Sequence, residues 1–417
     1  MTTLRTIKNK KIQTLTLALA LTSLFGGGAR AAEVYFYGSD LANDTTAWNA
    51  ATQTATLHAD RSIGRVFTYN SWMQSHPDTE AHFTSLISVD SYAVAGAKGT
   101  EKLTLTGDMA ATYANHLAVR NLDTLEITKG IFGFDSTYGN GDGTGAGIYI
   151  DHVKNVSISG TAGTIYGDIN AKTELKDIDT LTLESDINHK DEYGNYYNGD
   201  AKIDNTIFVG YGSRVDISAQ NTVLSARGRA IAASAASVEN INISEGSWET
   251  ATPFPVVNVI SDRLTINAAT QKNSSAAVFS HLGAEVNLGS KEHRITDLVF
   301  GRNEAAGTYA NMDLYAATPV YEDKAATRND RYSSTIAEGR SADDYIKYRS
   351  VINVYAENAE FHANTNALNA RNDSLINVDA RKAVIKSRYG NAATINSSGN
   401  STVTVTGDDI TVVNQNT

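Results

Sequence analysis

Apolar and polar positions alternate along this chain in a short motif that keeps returning: apolar, polar, apolar. It reads Leu103-Thr104-Leu105, Leu125-Glu126-Ile127, Val156-Ser157-Ile158, Leu181-Thr182-Leu183, Val215-Asp216-Ile217 and Ile241-Asn242-Ile243. Leu264-Thr265-Ile266, Val286-Asn287-Leu288, Ile352-Asn353-Val354, Ile376-Asn377-Val378 and Val403-Thr404-Val405 complete the series. Period-two alternation predicts strands with one buried face, the outer residues of each triplet pointing inward and the middle one outward. A second apolar cluster follows most triplets, as in HLAVR (116–120), GIYID (147–151), TIFVG (206–210), AIAAS (230–234), VVNVI (256–260), AAVFS (276–280) and AATIN (392–396). Gly, Asn, Ser, Asp and Thr lie between, the residues that turn a chain.

The base interval between triplets is about 22–27 residues, the length of a stacked repeat. One such unit cannot bury its own apolar face, so its neighbours must complete the core. The expected fold is therefore all-β, a right-handed parallel β-helix (β-solenoid) of triangular section. A leucine-rich repeat would need a recurring Leu/Asn consensus, and helical repeats would need long stretches of 3.6-residue periodicity; neither is present. Eleven units at about 4.8 Å each predict a rod of roughly 50 Å, longer if the interval from Val286 to Ile352 hides further units. The middle residues Asn242, Thr265, Asn287, Asn353, Asn377 and Thr404 are expected to stack into a polar ladder, read as a solvated face rather than a binding stripe.

Residues 1–31 have the three parts of an export signal. Arg5, Lys8, Lys10 and Lys11 precede the apolar run LTLALALTSLF (15–25), and Ala29-Arg30-Ala31 gives a small-x-small site for cleavage between Ala31 and Ala32. The apolar run is shorter than the ~20 residues a membrane-spanning helix needs. Of the 35 basic residues, the five in this segment leave with it, so 30 remain against 46 acidic, a net charge near −16. That balance argues against nucleic acid or anionic membranes as partners. With no Cys in the chain, disulfides and thiolate chemistry are excluded. Residues 32–100 show the repeat weakly and are assigned to an N-terminal cap and the first turns, because an open sheet end invites edge-to-edge pairing. The body of the β-helix is assigned to 101–417.

Longer intervals locate insertions near 133–147, 186–200 and 301–347. GFDSTYGNGDGTGAG (133–147) reads as a flexible turn: it is a single Gly/Asp segment and lacks the Lys-Ser/Thr of a phosphate loop. DINHKDEYGNYYNGD (186–200) places Tyr193, Tyr196 and Tyr197 among Asp, Asn and Gly, a composition that a sugar-binding loop uses and that a hydrated loop shares. The third insertion carries Tyr309, Tyr315, Tyr321, Tyr332 and Tyr345, with Tyr348 just past it, and is the first place to look for a partner-binding surface. NMDLY (311–315) inside it has the composition of a strand. His76 and His82 near Asp78 and Glu80 read as a solvated loop, and no metal or cofactor is expected.

No Gly-Asp-Ser-Gly or Gly-x-Ser-x-Gly nucleophile motif occurs. The enzyme alternative is a secreted polysaccharide lyase or glycosidase, which needs two carboxyls at a set separation. Asp151, Asp186 and Asp216, and Asp343-Asp344 near Arg349, are the candidates, although spaced Asp is ordinary turn chemistry.

With a cleavable signal, no Cys, four Pro and a Gly/Ser/Thr/Asn/Asp-rich parallel repeat, the chain resembles the passenger region of a bacterial type V autotransporter. The resemblance covers the whole chain and rests on the triplets quoted above. It implies export to the periplasm, passage through an outer-membrane translocator barrel, and display or release at the cell surface. Such a barrel is built from membrane strands of about ten alternating residues. None follows Val403, so the chain is expected to be a fragment of a longer protein. The function it implies is non-enzymatic: adhesion to host or bacterial surface glycans or proteins, self-association or display, with a structural spacer as a further alternative.

Overall fold

The computed structural model describes residues 33–37, 46–49, 54–57, 61–63, 65–69, 87–88, 91–96, 102–105 and 109–112. Beyond these it describes 116–128, 130–134, 147–160, 163–167, 171–185, 205–210, 212–234, 254–269, 276–281, 283–304, 306–318, 349–389 and 393–415. Among them every regular element is a strand, and there is no helix long and apolar enough to cross a membrane. The strands form two large sheets of twelve and sixteen strands. Among the described residues, antiparallel strand pairs are confined to the N-terminal end, where Glu33–Tyr37 pairs with Arg65–Tyr69 and Ile87–Ser88, and Thr46–Asn49 pairs with Thr54–Leu57. From Ser91 onward the paired strands are parallel, and the chain alternates between the sheets, adding to each in turn.

The larger sheet includes seven strands of 12–14 residues, and their burial shows how one strand serves two walls. In Val256–Ala268 and in Leu375–Ser387 buried and half-buried positions alternate, slip at two consecutive exposed residues, and resume. The slips fall at Asp262-Arg263 and Arg381-Lys382. A change of phase in a period-two pattern keeps apolar side chains inward only if the strand bends there, so each long strand is two half-strands around a corner. In one pass the corner opens into a loop, with Glu285–Leu288 and Ile295–Gly301 as the two halves. Gly289 starts that loop at φ 76°, and a Cβ on it would lie 2.3 Å from the Tyr355 carbonyl oxygen, so glycine is required there.

Ten of the eleven triplets lie one to each successive pass. Wherever burial is described through Ile376-Asn377-Val378, their outer residues are buried and their middle residues are not; Val403 and Val405 at the end are half-buried. Three details differ from the sequence reading. Arg214–Ala226 pairs directly with Val256–Ala268, so no pass intervenes for Ile241-Asn242-Ile243, which lies outside the described residues. Glu285 pairs directly with Val351, so the interval from 286 to 352 hides no extra unit; Ile295–Gly301 and Met312–Ala317 complete the same pass. The uneven spacing arises because triplets 103, 125, 156, 181 and 264 occupy one half-strand, whereas 215, 286, 352, 376 and 403 occupy the other.

Inward positions stack into columns. Ile127, Ile158, Leu183, Leu224, Ile266, Phe300, Phe361 and Ile385 follow one another in register, all buried, with the Phe300 and Phe361 rings stacked at 5.1 Å. One polar group interrupts the parallel column Leu181–Thr222–Leu264: the Thr222 hydroxyl is buried without a hydrogen-bond partner. On the outside of the first half-strand a ladder of amides does form. Asn258 donates to Asp216 at 2.7 Å, Asn287 to Asn258 at 2.8 Å, Asn353 to Asn287 at 2.8 Å and Asn377 to Asn353 at 2.9 Å. Thr265 is on the other half-strand and does not belong to it; Asn258 and Asp216 do.

Candidate functional site

A basic cavity of about 380 Å³ opens on the side of the stack, lined by Arg302, Gly307, Tyr309, His362, Lys386, Arg388 and Gln415. Four successive passes build it. Arg302 follows the strand Ile295–Gly301 and begins a tight loop closed by the antiparallel bridge Asn303–Thr308. Buried Asn303 anchors that loop: its Nδ2 donates to the carbonyls of Ala226 (2.9 Å) and Asn267 (3.3 Å), and its Oδ1 accepts the Ala306 N–H (3.0 Å). Gly307 turns the loop at φ 67° and delivers Tyr309, whose carbonyl accepts a bond from Nδ2 of buried Asn364 (2.8 Å). His362 lies on the outward face of Val351–Ala363, and Lys386 follows it in register on the next strand. Arg388 and Gln415 are held by backbone bonds to the Ala363 and Ser387 carbonyls.

The cavity is cationic by construction. Arg302 and Lys386 have no carboxylate at ion-pair distance among the described residues. The Tyr309 ring lies nearly parallel to the His362 ring, 5.8 Å between centroids, and the Arg388 guanidinium sits 5.4 Å from the Tyr309 centroid. Burial lowers the His362 pKa, and the neighbouring Lys386 charge adds to this; Glu360, 3.6 Å away, opposes both. At neutral pH the imidazole is therefore uncharged, leaving one lysine and two arginines around an opening on a chain that is acidic overall.

Of the tyrosines singled out in the sequence, Tyr309 is in this cavity. Tyr315 lies elsewhere, in a row on the outer face of the short-strand sheet with Tyr166, Phe208, Ala232 and Phe279; its ring is 5.5 Å from Phe279. Phe208 and Ala232 in that row are buried, so the short strands are covered on both faces there. Tyr193, Tyr196, Tyr197, Tyr321 and Tyr332, and the cleavage pair Ala31 and Ala32, lie outside the described residues. So do His76 and His82. The sequence reading missed Arg302, His362, Lys386 and Arg388. The signal was present: His362 and Lys386 are 24 residues apart, the same interval as Ile352 and Ile376.

Two further clusters bring carboxylates together. At one corner, the ligand atoms of Asp151, His152 and Asp177 lie within 4.8 Å of one another. The His152 Nδ1 is 2.6 Å from Asp151 and its Nε2 is 3.5 Å from Asp177, so both ring nitrogens are engaged by carboxylates at an exposed site. Asp151 and Asp216, candidates for a carboxyl pair, occupy different register positions two passes apart, and Asp186, Asp343 and Asp344 lie outside the described residues. Asp216 is in register with Glu174 instead. Burial pulls the Glu174 pKa up, but hydrogen bonds from Lys172 (2.5 Å) and Lys176 (2.9 Å) outweigh it and leave the carboxyl below its usual range. Asp216 is tied to Arg214 at 2.6 Å and to Asn258. A glycosidase acid must hold its proton at working pH, and a carboxylate clamped by two lysines does not.

No protein-family model, curated protein or solved structure matches this chain.

Proposed function

We propose that the chain is a right-handed parallel β-helix acting as a non-enzymatic, exported rod at a cell surface, which engages a ligand through its side. In this reading it is the passenger of a type V autotransporter, delivered by a translocator barrel and working in adhesion, self-association or display. The alternating addition of parallel strands to two sheets supports the rod, and the signal-like segment 1–31 supports export. The observation that carries the binding role is the cationic cavity built by Arg302, Tyr309, His362, Lys386 and Arg388. A spacer has no use for three clustered cations on an acidic chain. The clamped state of Glu174 favours binding over sugar cleavage.

The test is attachment. Beads coated with the purified full chain are presented to immobilised glycans and to bacterial cells, beside beads carrying the Arg302→Glu/Lys386→Glu double variant. Retention by wild type and its loss in a folded double variant is expected, with no reducing ends released from any polysaccharide. Equal retention of both, or glycan cleavage, would overturn the reading.

A further inference from the structure

We propose that the cavity between Arg302, Lys386 and Arg388 binds a compact oxyanion, a sulfate or phosphate monoester borne on a small or otherwise neutral ligand. This rests on the binding role given above and names its ligand class.

Local and global charge point in opposite directions here, and together they narrow the ligand. Three permanent cations converge on one cavity, a number suited to a group bearing two negative charges, and guanidinium forks match the spacing of its oxygens. Among the described residues neither Arg302 nor Lys386 is neutralised by a carboxylate. The walls are rigid for their position on a surface. Asn303 and Asn364 fix the loop by side-chain bonds to backbone, and the His362 and Lys386 backbones belong to paired strands. The geometry is therefore set before a ligand arrives, which limits the entropy lost on binding. Yet the chain carries a formal net charge of −11, and a long polyanion lying across the cavity would have to run along an acidic rod on either side. A ligand with charge concentrated in one group avoids that repulsion.

His362 adds a proton dependence. The groups around it are Tyr309 from the loop, Lys386 from the next strand, Arg388 beyond that strand, and Glu360 on its own strand; its backbone N–H bonds to Asp313. Its imidazole is uncharged at neutral pH and gains a proton only below the ordinary histidine range. Protonation brings a fourth positive charge to the cavity, so oxyanion affinity rises as the pH falls through that transition.

The experiment titrates the full chain calorimetrically with inorganic sulfate and, separately, inorganic phosphate, at pH 7 and at pH 5, at low ionic strength. One saturable site is expected, tighter at pH 5 for sulfate, whose charge does not change over that range. Lys386→Gln and Arg388→Gln are each expected to weaken it by about tenfold, the size of one charge-assisted hydrogen bond. Lys386→Arg should retain binding, and His362→Gln should lose the gain in sulfate affinity between pH 7 and pH 5. Melting curves confirm that each variant is folded. Absence of saturable binding of either anion at both pH values, or binding indifferent to both Gln substitutions, overturns the proposal. Should attachment still depend on Arg302 and Lys386 while neither anion binds, the ligand class fails and the adhesive role stands. Anion binding without attachment is the reverse case.

Discussion

Replacing Asn353 by alanine tests whether the outward amide ladder contributes to stability. Asn353 is an interior member: its Nδ2 donates to Asn287 Oδ1 at 2.8 Å, and its Oδ1 accepts from Asn377 Nδ2 at 2.9 Å. Asn377 has one ladder bond, since the next residue in register is Thr404, which makes none with it among the described residues. A typical hydrogen bond contributes about 1 kcal/mol net, and these amides are half-buried, so the groups left behind are only partly hydrated. Asn353→Ala should then cost about 2 kcal/mol and Asn377→Ala about 1 kcal/mol. Both substitutions remove the same side chain from the same wall, so β-propensity and side-chain volume cancel in the comparison, and the difference isolates the second bond. Equilibrium urea unfolding followed by circular dichroism gives both costs, provided the slope with denaturant is unchanged. Stacked units can lose cooperativity, so hydrogen exchange of the amides at 351–356 is measured alongside. The ladder contributes no stability if Asn353→Ala costs no more than Asn377→Ala, or if both fall within about 0.3 kcal/mol of wild type, the ordinary scatter of surface changes.

Two buried polar groups give predictions of opposite origin. Thr222→Val removes a buried, unpartnered hydroxyl from an apolar column while keeping its shape, and should stabilise the chain by about 1 kcal/mol in the same urea assay; destabilisation would mean the hydroxyl has a partner. Asp313 is fully buried, with Oδ2 unpartnered; burial raises its pKa well above the usual aspartate value, opposed only by the His362 backbone N–H. Its stabilising state is the protonated one, fully present below the ordinary aspartate pKa and lost as the pH rises through the raised folded value. Asp313→Asn should therefore melt near wild type at pH 4 and increasingly above it toward pH 8; a constant difference across that range would contradict the assignment.

What the sequence disclosed follows from what period-two patterning can and cannot encode. Burial of one strand face is written directly in the triplets, which is why Leu125, Leu181, Val286 and Ile376 are all in the core. The same pattern does not say which half of a bent strand a triplet occupies, because both halves face the same interior. Hence Val215 and Leu264 read as equivalent, although they lie on opposite sides of the corner. Ile241-Asn242-Ile243 has the same pattern, yet Val215 pairs directly with Val257, and no strand intervenes between them in the larger sheet. The amide ladder was half legible. Asn287, Asn353 and Asn377 carried a visible period, whereas Asp216 and Asn258 joined it only through a 42-residue interval that the triplets did not reveal. The cavity was less legible still. Tyr309 stood out by composition, but its cationic neighbours come from successive passes, and sequence distance hides a contact that stacking creates.

The order of the passes depends on direct stacking of Glu285 on Val351 across 66 residues, and a disulfide can test it because the chain has no cysteine of its own. Neighbouring parallel strands lie about 4.8 Å apart, inside the range a disulfide bridges, whereas strands two passes apart, at roughly 9.6 Å, are beyond it. Under mild oxidation Glu285→Cys/Val351→Cys should close to a single intramolecular disulfide, read by mass and by loss of free thiol, while Val256→Cys/Val351→Cys stays reduced. If the first pair remains open and the second behaves no differently, another unit lies between them and the stacking order described here is wrong.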